Sequence, residues 1–540
     1  MHTRMGWVGI RVPAKGMKKR RGLWVAIALG MIMAWTTACR AQLAMVKVQT
    51  QPLGLRIPQD FLGYSMEVST SGQGLQPYRG LQAGPQTGNE QPQYALGRPE
   101  APNQGFFQFM RDLGHGVLRL GGNSQDNTCW EPEHAPHPAA CHGTLTAQDL
   151  ALFSKAAMAT GWQLILGLNL KQNSPSWALN EVTAGIAREM KPSEIFALEI
   201  GNEPDLFRRG ARPASYSPSD HVREFLGYLD AFRQDSVARR YGIAGPATCC
   251  GWLNARDLAA FVDGVGSRNL KLVTVHHYSA TVCGDRTVTI AQLLNPALMN
   301  RFDQQARTWV AAVHSRGLPI AMAETNSASC GGMPGVSNAF ASAVWGLDYM
   351  FHLAQDGFRY AYFHFSYRPR GGSSYNPIDT YGSQRRGGRW QYRNVAEPLY
   401  DAMYLFAKHA AGAHLLPLSI SSRANIRAYA VSECVGCSIN IFLVNKDISA
   451  GGEVRVHVAG AGGHASLLML RAPSLSSLAP NVRYGGVQFD SEGHLPHPHD
   501  STLQPDSSGD WVFALPNASV ALLTVPAARA GLDSVKNAGL

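Results

Sequence analysis

The sequence predicts an α/β protein: a (β/α)8 barrel followed by an antiparallel β-sandwich domain. Three observations support this. Eight short apolar segments alternate with helical stretches between about residues 60 and 366, the pattern of a parallel sheet whose strands are covered on both faces. No G-x-G-x-x-G turn follows any of them; Gly121-Gly122 comes after a strand without that spacing, which disfavours an open dinucleotide-binding sheet. After about residue 411 long helices give way to short alternating segments separated by Gly, Pro, Asn and Ser, the signature of a sandwich.

Taken in order, residues 18–21 are Lys-Lys-Arg-Arg, residues 23–35 are an apolar run, and Cys39 and Ala41 follow among small residues. A basic region, an apolar core and a small-residue cleavage zone predict an export signal over 1–41. The run falls short of the roughly 20 residues a membrane span needs, so the processed chain is expected to have no membrane partner. Residues 42–57 are expected to add a strand to the sandwich. The barrel is placed over 58–410, with strands at 61–68, 116–122, 163–170, 195–202, 241–247, 272–278, 319–325 and 359–366. Helical spacing is clear between strands, as in Val222, Phe225, Leu226, Leu229 and Phe232, or Phe302, Ala306, Trp309, Val310 and Val313. The sandwich is placed over 411–527 and a tail over 528–540.

The formal charge of +10 on 540 residues would on its face suggest an anionic partner. Residues 1–41 hold eight of the basic residues and no acidic one, so their removal leaves +2. That takes away the charge argument for nucleic acid or a sulfated polymer. Removing Cys39 leaves eight cysteines, an even number that predicts disulfides in an oxidising compartment. Cys129 and Cys141 share a loop, Cys283 and Cys330 follow strand ends, Cys249 and Cys250 are adjacent, and Cys434 and Cys437 form a CxxC. Zinc is the competing reading of that CxxC, but no second ligand pair completes it.

In such a barrel the chemistry sits at the C-terminal strand ends. The fourth strand ends Glu199-Ile-Gly-Asn202-Glu203-Pro204, and the seventh ends in Glu324 after an apolar run. Carboxylates emerging from buried strands need a partner or a task. Across a barrel mouth, one carboxyl can donate a proton to a leaving oxygen while the other attacks. A gap of about 5–5.5 Å makes a retaining glycosidase, and about 6.5–9.5 Å an inverting one.

Asn-Glu-Pro after the fourth strand with Glu at the end of the seventh resembles the large clan of retaining (β/α)8 glycosidases. FLGYSMEVS at 61–69, LRLGGNSQD at 118–126, EIGNEPD at 199–205 and AETNS at 323–327 resemble glycoside hydrolase family 79, which includes β-glucuronidases and heparanase-like enzymes. The resemblance implies Glu203 as general acid/base and Glu324 as nucleophile. Asn202 is expected to bond the sugar 2-hydroxyl, and Tyr278 to donate its phenol to Glu324. By the same resemblance Glu67, Asn123 and Asp126 hold sugar hydroxyls, with turn capping the alternative for Asp126. His364, ending the eighth strand, points to the mouth. The Gly-rich loop after it offers the Ser374 backbone and Tyr375 for a sugar carboxylate, with Arg368 and Arg370 as nearby charge. His276 and His277 face opposite sides of a strand, so they are not read as a metal pair. No metal or cofactor is implied.

The function these readings imply is an exported retaining β-glucuronidase acting on glucuronide-containing oligo- or polysaccharides through a covalent glycosyl-enzyme. Long loops at 69–105 and 367–394 suit action from chain ends. The alternatives are an endo-acting heparanase- or hyaluronidase-like enzyme and a non-catalytic carbohydrate-binding protein; the second is disfavoured because both glutamates are present.

Overall fold

The computed structural model describes residues 42–68, 91–92, 95–131, 141, 143–365, 373–384 and 388–526. The expected export signal, the tail, residues 69–90 of the first long loop and Arg368 and Arg370 lie outside the described residues.

Eight parallel strands close into a barrel: β2 (Leu62–Glu67), β3 (Val117–Gly121), β4 (Gln163–Leu168), β5 (Ile195–Ile200), β6 (Ile243–Thr248), β7 (Leu272–Thr281), β8 (Ile320–Ser329) and β9 (Tyr360–Phe365). Neighbours pair in sequence order, and β9 pairs β2 to close the ring. These strands are buried on both faces, which is why they read as unbroken apolar runs. β7 and β8 run ten residues each, beyond their apolar cores into the polar mouth.

Helices pack outside the ring, with ends set by local chemistry. The helix α1 (Ala147–Thr160) opens on a capping box between Thr146 and Asp149 and closes at Gly161 with φ +75°, a left-handed position suited to glycine. The helix α2 (Pro218–Gln234) opens on the same device, from Ser217 and Asp220, with Pro218 in its first turn.

The helix α3 (Phe340–Asp356) is buried on nearly all sides. It lies between the barrel and the sandwich, where Phe351 stacks on Tyr429 with centroids 4.3 Å apart and meets Phe442 at 4.9 Å. Its most deeply buried charge, Asp348, accepts from Tyr429 Oη at 2.6 Å and from Lys446 Nζ, so the ionised carboxylate is paired as burial requires.

The sandwich is built from two sheets. In one, β1 (Gln42–Val48) lies between β10 (Leu418–Ser422) and β13 (Gly452–Val458), antiparallel to the first and parallel to the second. The other sheet centres on β11 (Ile426–Ser432), β12 (Ile439–Asn445), β14 (Ala465–Arg471) and β15 (Ser519–Val525), all antiparallel. On β12, Ile441 and Leu443 face the first sheet with Val46, Val454, Val456 and Trp511, while Phe442 and Val444 join the core shared with the barrel. Each fully buried aliphatic side chain contributes roughly 1.5–3 kcal/mol, so both faces of this strand hold the halves together.

Among the described residues three disulfides form: Cys129–Cys141, Cys283–Cys330 and Cys434–Cys437. The CxxC is therefore a bridge rather than a zinc ligand pair. Cys249 and Cys250 remain free. No helix among the described residues is long and apolar enough to cross a membrane.

Candidate active site

At the barrel mouth the strands bring four polar side chains together around one guanidinium. Arg119 sits on β3, wholly buried, and donates Nε to Glu199 at 2.6 Å, Nη1 to Ser65 and Glu324 at 3.0 Å each, and Nη2 to Asn202 at 2.9 Å. The arrangement fixes the ends of β2, β3, β5 and β8 relative to one another. It also orients Asn202: with Oδ1 accepting from Arg119, its amide N–H2 is the end able to donate to a sugar hydroxyl.

Glu203 and Glu324 face each other. A carboxylate oxygen of each and a ring nitrogen of His276 lie within 4.8 Å of one another. Glu203 occupies a left-handed backbone position, φ +48°, rare for a side chain and costly. Its N–H donates to Ala247 O at 2.8 Å, and Pro204 starts the following turn at Pro204–Arg209, so the chain leaves β5 abruptly and aims the carboxyl into the mouth.

The two carboxyls have opposite acidities. Burial lifts the pKa of Glu203, and the charges of Glu324 and Asp205 lift it further. Burial alone would lift Glu324 as well, but His364, His276, Arg119 and the hydrogen bond from Tyr278 outweigh it and hold that carboxyl well below the usual range. Tyr278 Oη donates to Glu324 Oε1 at 2.9 Å. His364 stands 3.8 Å from both Glu324 and Glu67 and bonds Ser65 at 3.0 Å. Although burial lowers its pKa, the charges of Glu324 and Glu67 raise it above the ordinary value. His276 Nδ1 lies 3.2 Å from Glu203 Oε1; burial lowers its pKa to about 4, so it is a neutral hydrogen-bonding partner at neutral pH. These groups are close enough to embrace a cation, yet Arg119 already supplies Glu324 with its positive partner.

Other residues support the site from behind. Asp126 is buried with both oxygens occupied: Oδ1 accepts from the N–H groups of Leu170 and Lys171 at 2.7 and 3.1 Å, and Oδ2 from that of Asn202 at 2.8 Å. It braces the loops after β4 and β5, an arrangement that fits the capping alternative raised from sequence. Glu67 accepts from the N–H groups of Asn123 and Ser124 at 3.1 and 2.8 Å. Gly122 makes this approach possible, since a Cβ there would lie 2.5 Å from the Glu67 carboxylate. Asn123 is exposed at the rim, and its contact with the cluster is through the backbone.

The Tyr375 side chain is buried, with its ring 6.1 Å from that of Tyr278 and 6.2 Å from that of His364. Asn326 places it, donating Nδ2 to the carbonyls of His364 and Tyr375 at 3.0 and 2.9 Å. The Ser374 N–H, the group expected from sequence to meet a carboxylate, donates to Gly331 O at 2.7 Å and is satisfied within the protein. Gly331 follows Cys330, whose bridge to Cys283 ties the β7 and β8 loops. Arg119, Glu199, Ser65 and His276 are the site residues that sequence reasoning passed over. The signal was a single Arg inside an apolar strand, and a Glu inside β5 four residues before Glu203.

No family model matches the chain. It is 28% identical to a β-glucuronidase of Aspergillus niger over 48% of this chain and 52% of that one. It is 25% identical to heparanase of Gallus gallus over 40% and 41%. The chain spans about half the length of the curated relatives it matches. Among solved structures, it superposes on a 4-O-α-L-rhamnosyl-β-D-glucuronidase from Fusarium oxysporum 12S with a TM-score of 0.69 and 17% identity, over 89% of this chain and all of that one. The fold is shared, and the sequence relatives agree with the resemblance to glycoside hydrolase family 79.

Proposed function

We propose that the chain is an exported retaining glycoside hydrolase that releases glucuronic acid from β-glucuronides. The observation that carries the reading is the Glu203–Glu324 pair, within 4.8 Å and of opposite acidity. Glu324, ionised between Arg119 and Tyr278, attacks the anomeric carbon while Glu203 protonates the leaving oxygen. The glycosyl ester that forms has no charge on Glu324. Burial still raises the Glu203 pKa, but the added push from the Glu324 charge is then gone, and Glu203 becomes the base that activates water in the second step. Asn202 donates to the 2-hydroxyl, a contact that strengthens in the transition state.

Glucuronate as the sugar is supported by the curated β-glucuronidase relatives. Tyr375, facing Tyr278 and His364, is the group we assign to its carboxylate; Glu67 beside His364 is assigned to a sugar hydroxyl. Export is supported by the three disulfides and by the sequence of residues 1–41. The test compares para-nitrophenyl β-glucuronide, β-glucoside and β-xyloside. A kcat/KM highest for the glucuronide is expected, and preference for the glucoside would overturn the assignment of the sugar.

A further inference from the structure

The two free cysteines stand beside the proposed acid/base. Cys249 and Cys250 open the loop that follows β6, and Cys249, Cys250 and Asp205 place a sulfur or carboxylate atom each within 4.8 Å of one another. Cys249 is buried, with its sulfur 3.7 and 3.8 Å from the two Asp205 oxygens, while Cys250 is exposed. Asp205 staples this loop to the one bearing Glu203, accepting from Thr248 Oγ1 at 3.0 Å and from the N–H groups of Cys249 and Gly251 at 3.2 and 2.9 Å. Ala247, two residues before Cys249, accepts the Glu203 N–H. Ala247 and Cys250 both hold positive φ, +52° and +24°, so this short loop is conformationally strained.

We infer that Cys249 and Cys250 are a redox-active vicinal pair that closes to a disulfide and shifts the loop holding Glu203. The other six described cysteines are already paired, so the chain is built for a compartment where thiols oxidise. The reaction needs a low-molecular-weight disulfide such as glutathione disulfide as oxidant. The Cys250 thiolate attacks one of its sulfurs and expels a thiolate; Cys249 then attacks Cys250 Sγ and expels the second. One S–S bond forms, one breaks, and the two thiol protons go to the two released thiols. The Cys249 S–H bonds Cys250 and lowers its pKa, which suits the exposed Cys250 as the attacker. Adjacent Cα atoms are about 3.8 Å apart, below the roughly 4.4–6.8 Å of ordinary disulfides. A ring this tight is strained and reducible, the property of a labile rather than a structural bridge.

The effect on rate rests on the glycosidase reading above; the disulfide does not. The experiment treats the full-length protein carrying Cys39→Ser, so that Cys249 and Cys250 are its two unpaired thiols, with glutathione disulfide, then counts thiols after denaturation and measures intact mass. The expected result is a fall from two thiols to none, a loss of two hydrogens in mass, and a peptide bridged between Cys249 and Cys250. Hydrolysis of phenyl β-glucuronide, which needs an acid, falls roughly tenfold; dinitrophenyl β-glucuronide, which does not, changes less than about twofold, and dithiothreitol restores the rate. Cys250→Ser keeps the untreated rate and loses the response. Persistent thiols, a stable mass gain from attached glutathione, or equal slowing of Cys250→Ser would overturn the inference. If no glucuronide is hydrolysed at all, the glycosidase reading fails, and the thiol count and mass still decide the disulfide.

Discussion

Arg119→Met separates what holds the site together from what performs its chemistry. Among the described residues the guanidinium is the one partner of the inner Glu199 carboxylate, at 2.6 Å, and the second Glu199 oxygen has none. Removing one side of a buried ion pair strands the other, at a cost of about 3–5 kcal/mol. The same change takes a hydrogen bond from Glu324 and one from Asn202. Hydrogen bonds to charged groups are worth about 1.5–3 kcal/mol, so losing two such supports lowers kcat/KM by about 10²–10⁴-fold. The double variant Arg119→Met with Glu199→Met replaces the pair by apolar bulk and recovers most of the stability, while activity stays lost. Denaturant midpoints and kcat/KM on para-nitrophenyl β-glucuronide measure the two effects. If Arg119→Met kept activity within about tenfold, or the double variant regained activity with stability, Arg119 would not be acting on Glu324 and Asn202 directly.

Three further outcomes are expected. Tyr278→Phe removes the 2.9 Å bond that helps hold Glu324 ionised, so kcat/KM falls roughly 10–100-fold and the acidic limb of the pH profile moves up; an unmoved limb would contradict the role. Asp126→Asn keeps only one acceptor for three N–H donors, costing about 1–3 kcal/mol and raising KM as Asn202 shifts, with an unchanged KM counting against the brace. Glu181 is buried, and burial raises its pKa from 4.5 to about 8. Its folded pKa lies above its unfolded one, so its stabilisation is full below about 4.5 and is lost as pH rises through about 8. Glu181→Gln should therefore narrow the Tm difference between pH 5 and pH 9, and an equal difference in both proteins would refute the burial argument.

The fold was readable because its signals are local. Each barrel strand is an apolar run broken by a polar residue at the mouth, and the sandwich shows alternation, as in Val454 and Val456 facing inward on β13. The two glutamates stood out for the same reason, as carboxylates where apolar strands end. What escaped was pairing across the barrel. Arg119 and Glu199 are 80 residues apart, and Arg119 and Glu324 are 205 apart, and no periodicity links them. The alternation rule for His276 and His277 held: His277 packs on Phe302 with centroids 4.7 Å apart, while His276 meets Glu203. Asking only whether the pair bound metal hid the inward histidine. Asp126 was ambiguous because a capping carboxylate and a sugar-binding one look alike until their donors are known.

In the proposed mechanism Glu324 becomes covalently glycosylated while Glu203 moves the proton. A 2-deoxy-2-fluoroglucuronyl fluoride, which forms the intermediate and slows its hydrolysis, tests it by peptide mass spectrometry. The account predicts a stoichiometric label on the peptide containing Glu324, and turnover that resumes once the label is released. A label on Glu203, or inactivation without any covalent label and with inverted product, would contradict it.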